Sequence, residues 1–104
     1  MGWLMKDVKS KIRKSARGQE CQVRIYGVCN HNPETVVLAH LNGGGMGMKQ
    51  SDIFGAYCCS SCHDVIDGRV KVPNVEPDIV QLWFYDGMVR TQNKLLESGL
   101  IKIS

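Results

Sequence analysis

The side chains best suited to chemistry crowd into one short stretch, CCSSCHDVIDG, at positions 58–68. Cys59 and Cys62 form a C-x-x-C pair, His63 stands directly behind it, and Asp67 follows four residues later. C-x-x-C-H is a c-type haem attachment motif, C-x-x-C alone is a redox dithiol, and either is half of a zinc site. Cys21 and Cys29 weigh on the choice. Two thiolate pairs are what a tetrahedral zinc ion needs. Haem would leave Cys21 and Cys29 idle and requires export, and a redox dithiol belongs after the strand of a βαβ pattern that this chain lacks. The expectation is therefore Zn²⁺ on Cys21, Cys29, Cys59 and Cys62. Cys58 makes no C-x-x-C with Cys62 and reads as a small buried residue.

The histidines suggest a second kind of chemistry. His63 and Asp67, four apart on a short helix, share one face and can share a cation. His40 ends a β-branched run and precedes GGGMGMK, whose glycines let a phosphate backbone approach closely. A strand histidine beside a His/Asp helix pair is an arrangement suited to a divalent-metal hydrolase. The plainer reading of each part is a surface ion pair and a structural histidine. His31, in the NHN turn, reads as a surface residue.

Stepping outward, the elements that must carry these residues are short. Residues 3–16 space Leu4, Val8 and Ile12 as an amphipathic helix, residues 22–28 alternate as a strand, and NHNPET is a turn. VVLAHL and residues 53–57 read as two further short strands. A helix is expected over about 60–67, stopped by Gly68, followed by an extended RVKVPNVEP. A longer helix is expected over about 77–98, closed by Gly99, with Ile79, Leu82, Trp83, Val89 and Leu96 as its apolar face and a possible kink at Asp86-Gly87. Trp83 and Phe84 would pack on the core or pair with a second copy, so monomer and homodimer both stay open.

Length and charge narrow the class. A chain of 104 residues with 43% hydrophobic residues is long enough for one modest core, at a size where a metal staple helps. Its apolar runs are too short for a membrane span and its start lacks a secretory h-region, so a cytoplasmic protein with reduced cysteines is expected. The net charge is +3, yet residues 1–20 carry six basic residues against two acidic ones, a net of +4. A basic arm over 1–20 ahead of a near-neutral body at 21–104 points to a polyanion, with Lys9, Lys11, Arg13, Lys14, Arg17 and Lys49 as candidate contacts. A solvated helix face would look much the same.

The order Cys21…Cys29…VLAH40…GGGMGMKQSD52…CSSCH63DVID67G resembles the His-Asn-His (HNH, or ββα-metal) endonucleases, and most of all their small phage- and prophage-encoded members. The resemblance covers roughly residues 17–71. It implies an α+β fold with a ββα-metal core over 21–71, braced by a zinc knuckle and followed by the C-terminal helix. It also implies His40 as general base, Asp52 as the residue orienting it, and His63 and Asp67 as ligands of a catalytic Mg²⁺ or similar cation. One position departs: Ala39 stands where the family commonly has a further Asp or His ligand, which leaves water or phosphate oxygens to complete the shell.

Two functions follow from this reading. One is a metal-dependent endonuclease hydrolysing phosphodiester bonds of DNA. The other is a zinc-stapled DNA-binding module without catalysis, which Ala39 favours.

Overall fold

In the computed structural model, residues 11–40 and 52–102 are described. Residues 11–15 are helical (α1), and Ile12 and Ala16 project from this end of the chain into the core. The expected helix over 3–16 is described only from residue 11, and Lys9 and Lys49 lie outside the described residues.

The two paired strands are β1 (Val37–Ala39) and β2 (Ala56–Cys58), antiparallel, with Val37 opposite Cys58, Leu38 opposite Tyr57 and Ala39 opposite Ala56. The start of β2 lies against the end of β1 through Gly55. A Cβ there would stand 2.8 Å from Leu38 Cγ and 2.9 Å from the Ala39 carbonyl oxygen, so only glycine fits without displacing β1. A short 3-10 turn, Asp52–Phe54, leads into this approach. Its Ile53 carbonyl accepts a 2.6 Å bond from Gln92 Nε2.

Helix α2 (Ser60–Ile66) follows β2 at once. Cys59 caps its N-terminus, its sulfur accepting from the Cys62 amide, and Gly68 at φ 82° turns the chain beyond its end. RVKVPNVEP contains no strand. Pro73 and Asn74 instead make a turn closed by Val75 N–H to the Val72 carbonyl, and Asn74 takes the positive φ of 64° that such a turn requires.

Helix α3 (Pro77–Ser98) has the expected limits, with Pro77 in its first turn and Gly99 left-handed at its end. Its buried face is only partly the expected one, since Trp83 packs half-buried against the core. Phe84, Gly87, Thr91 and Leu95 are buried, whereas Ile79, Leu82 and Val89 are 40%, 55% and 54% exposed. Large apolar residues set the expected stripe, but contact with the core depends on how closely the helix can approach. At Gly87 a Cβ would stand 2.7 Å from Val23 Cγ2 and 3.0 Å from Val23 Cα. The glycine lets α3 lie on the backbone of Val23, within one helix that continues through Asp86-Gly87.

α3 also closes the outer edge of β2. Tyr57, whose partner Leu38 leaves its polar backbone groups pointing away from β1, donates its N–H to Thr91 Oγ1 at 2.9 Å. Its carbonyl accepts from Gln22 N–H at 2.8 Å, and Thr91 passes its own hydroxyl hydrogen to the Gly87 carbonyl at 2.7 Å. The result is a small α+β fold in which a two-stranded sheet packs on α3 through β2, with α2 also touching α3. Among the described residues no helix is long and apolar enough to cross a membrane.

Candidate functional site: a four-cysteine cluster and a histidine–carboxylate pair

Residues 22–28 were expected to form a strand. Their burial does alternate, with Val23 and Ile25 in and Arg24 and Tyr26 out, but they form turns. Arg24 at φ 52° and Gly27 at φ 77° break the extended backbone. Two amides of this segment turn to sulfur. Arg24 N–H donates to Cys21 Sγ and Ile25 N–H donates to Cys62 Sγ, both at 3.4 Å. Cys62 N–H donates likewise to Cys59 Sγ. Amide donors aimed at sulfur stabilise thiolate over thiol, as a metal knuckle requires.

Cys21, Cys29, Cys59 and Cys62 place their sulfurs within 4.8 Å of one another. A tetrahedral zinc thiolate with bonds of about 2.3 Å has edges of about 3.8 Å. Cys59 Sγ to Cys29 Sγ is 3.8 Å. These four side chains can hold a metal ion, and the set suits zinc. It is also the one group of three or more His, Cys, Asp or Glu side chains with its ligand atoms this close among the described residues.

The electrostatics of the sulfur cluster agree. Cys21 is pushed far down, first by thiol hydrogen bonds from Cys58 and Cys62. Cys58 and Cys62 are pushed up, chiefly because each donates to the Cys21 sulfur, while burial pushes Cys29 up to about 11. The shifts of Cys21, Cys58 and Cys62 share one cause, thiols crowded around the Cys21 sulfur. Four thiolates in this space need a cation.

Two residues near the cluster were read more simply in the sequence. Cys58 is fully buried, as expected, but its thiol also faces Cys21 and Cys62. His31 is exposed, as expected, yet its Nδ1 stands 3.7 Å from Cys29 Sγ, carried there by a positive φ of 56°. Only the two-residue spacing from Cys29 hinted at that contact.

At the other end of the hairpin, His40 Nε2 is 2.9 Å from Asp52 Oδ1. The other carboxylate oxygen, Oδ2, accepts from Arg13 Nε at 3.1 Å. Asp52 is 1% exposed, whereas the His40 side chain is 41% exposed. A carboxylate only accepts, so the hydrogen between the two sits on His40 Nε2. His40 opens on a groove of about 500 Å³ whose walls include Arg13, Lys14, Arg17 and Glu34.

His63 and Asp67 meet on one face of α2, Nδ1 to Oδ2 at 3.2 Å, both partly exposed. Arg69 stands 3.9 Å from the same Asp67 oxygen. The two histidine–aspartate pairs do not merge into a common cluster of the kind formed by the four cysteines.

Comparison with known proteins finds relatives over most of the chain. A family model described as "Putative nuclease YbcO" matches residues 10–100. The "Putative nuclease YbcO" of Escherichia coli (strain K12) is 48% identical over 94 residues, covering 88% of this chain and 96% of that protein. The "Putative nuclease ybcO" of Enterobacteria phage 82 matches to the same extent. A solved structure, "Structure of a putative bacteriophage protein from Escherichia coli str. K-12 substr. MG1655", superposes with a TM-score of 0.71 at 46% identity, over 86% of this chain and all of that one. With relatives this close over most of its length, the chain belongs to the family described as "Putative nuclease YbcO", and its relatives include a phage protein.

Proposed function

We propose that the chain is a metal-dependent endonuclease of the HNH type that hydrolyses phosphodiester bonds of DNA. The observation that carries this reading is the buried Asp52 held between His40 and Arg13 at the edge of a basic groove. Asp52 fixes the ring of His40 through Nε2, which leaves Nδ1 as the nitrogen for chemistry. That nitrogen is the base that takes a proton from the attacking water. Lys11, Lys14 and Arg17, all exposed, hold the phosphate backbone along α1 and beyond it. His63 and Asp67 supply an imidazole nitrogen and a carboxylate to a divalent cation, whose chemistry when bound is to offset charge developing on the phosphate. No third protein ligand of this kind joins them closely among the described residues, so water or phosphate oxygens complete the shell, as magnesium allows. The cysteine cluster holds a structural zinc that braces the hairpin from its other end.

Ala39 favours the second reading, DNA binding without cleavage. It is buried and pairs with Ala56 in the sheet, so its position offers the cation nothing. Plasmid nicking with a panel of divalent cations separates the two. The nuclease reading expects cleavage by the native chain and loss of about 10²–10⁴-fold in rate in His40→Ala with DNA affinity kept. Binding without cleavage under every cation would leave the binding module.

A further inference from the structure

We infer that Arg13 is a positioning residue, which acts through Asp52 on His40 instead of serving the phosphate backbone as its basic neighbours do. The inference rests on the nuclease reading of His40 and adds to it a residue from outside the hairpin. Sequence position puts Arg13 in the basic run and so among the phosphate contacts. The structure turns its Nε edge inward.

Asp52 has two oxygens and gives one to each partner, His40 at 2.9 Å and Arg13 at 3.1 Å. Its side chain is 1% exposed while those of Arg13 and His40 are 58% and 41% exposed, so its two partners are what stand between it and water. Removing one partner of a buried carboxylate is costly because the charge stays behind. With Arg13 gone, Asp52 is left facing His40 alone, in a 3-10 turn fixed by Gln92 on one side and by the Gly55–Leu38 approach on the other. The carboxylate cannot easily move, so His40 must answer for the change. Arg13 itself is anchored: Ile12 beside it is buried, and Ser15 bonds Tyr57 of β2 at 2.7 Å. Helix α1 therefore delivers a fixed cation to the back of the histidine–carboxylate pair. Arg13, Lys14 and Arg17 are all exposed and share the groove with His40, and Arg13 alone of the three bonds the pair.

The test compares Arg13→Gln and Arg13→Lys with the native, metal-loaded full chain, below the melting temperature of each. In DNA cleavage, Arg13→Gln should lower kcat by about 10- to 100-fold, the scale of a misplaced catalytic group, with KM and DNA affinity nearly unchanged. Arg13→Lys keeps a cationic donor and should recover much of the loss. The nitrogen-15 NMR spectrum of the imidazoles needs no substrate. It should show His40 of the native chain in one neutral form with its hydrogen on Nε2, displaced from that form in Arg13→Gln and returned towards it in Arg13→Lys. A raised KM with kcat kept and an unchanged His40 spectrum would overturn the inference and make Arg13 a phosphate contact. If the native chain cuts nothing under any cation, the nuclease reading fails, and the His40 spectrum alone then decides whether Arg13 positions the ring. Should Arg13→Gln fail to fold, the spectrum of Arg13→Lys decides: a His40 displaced part of the way towards its form in Asp52→Asn supports the inference, and a His40 left as in the native chain overturns it.

Discussion

Gly87 sets two residue-scale effects against each other. Alanine in mid-helix is favoured over glycine by about 1 kcal/mol. At Gly87 the added methyl would meet the Val23 backbone at 3.0 Å, which cannot rotate away. Overpacking of that kind costs roughly 1–3 kcal/mol, so Gly87→Ala should lower the melting temperature despite its better propensity. Urea unfolding of the two proteins gives the difference directly. The cysteines invite a paired test. Cys62→Ala removes a ligand and should abolish zinc binding, whereas Cys58→Ala should retain about one zinc per chain by elemental analysis. Loss of zinc in Cys58→Ala would put that thiol in the ligand set. Much of this scale was legible in the chain. Cys59-x-x-Cys62 and the Cys21/Cys29 pair name a cluster from spacing alone, and Asp52 was matched to His40 through the family resemblance. The contacts of Arg13 and His31 were not legible, because a basic run marks charge without marking which guanidinium turns inward.

At the scale of elements, α2 shows why the cysteine cluster matters beyond its own bonds. A helix of seven residues has no stability of its own. The sulfur of Cys59 caps it and Cys62 lies in its first turns, so the cysteine cluster, the hairpin end and the helix start are one unit. Strong chelation should therefore unfold α2 first, seen as lost helical ellipticity with a melting temperature lowered by more than roughly 10 °C, since each 1 kcal/mol is worth about 4–8 °C in a chain of this size. A melting curve indifferent to chelator would exclude a structural metal. Element ends were readable where glycine and proline punctuate, and α3 runs from Pro77 to Ser98 as expected. The misreadings share a cause. Val23 and Ile25 alternate with polar neighbours because both face the core, but their segment bonds to sulfur where a strand would bond to another strand. Ile79, Leu82 and Val89 are large and apolar yet lie off the packed face, which is defined by the two smallest contacts, Gly87 and Thr91. Periodicity records hydrophobicity, and close approach is invisible to it.

For the molecule as a whole, the basic segment is part of the body from residue 12 onward, because Ile12 and Ala16 are in the core. Deleting residues 1–20 would remove packing along with charge, so single substitutions are the sound test of polyanion binding. Lys14→Gln and Arg17→Gln should each reduce the slope of log affinity against log salt by about 0.9 if the side chain meets a duplex phosphate. An unchanged slope would mark a solvated face. The outer edge of β2 has a further consequence, for self-association. A two-stranded ribbon ordinarily offers two unpaired rims on which another chain can stack as a strand. Here Thr91 and Gln22 occupy both backbone groups of Tyr57, so one rim is sealed by side-chain and loop groups of the same molecule. Thr91→Val keeps the shape and leaves the Tyr57 amide bare. That variant should show its defect as concentration-dependent aggregation on mild heating, where the native chain stays dispersed.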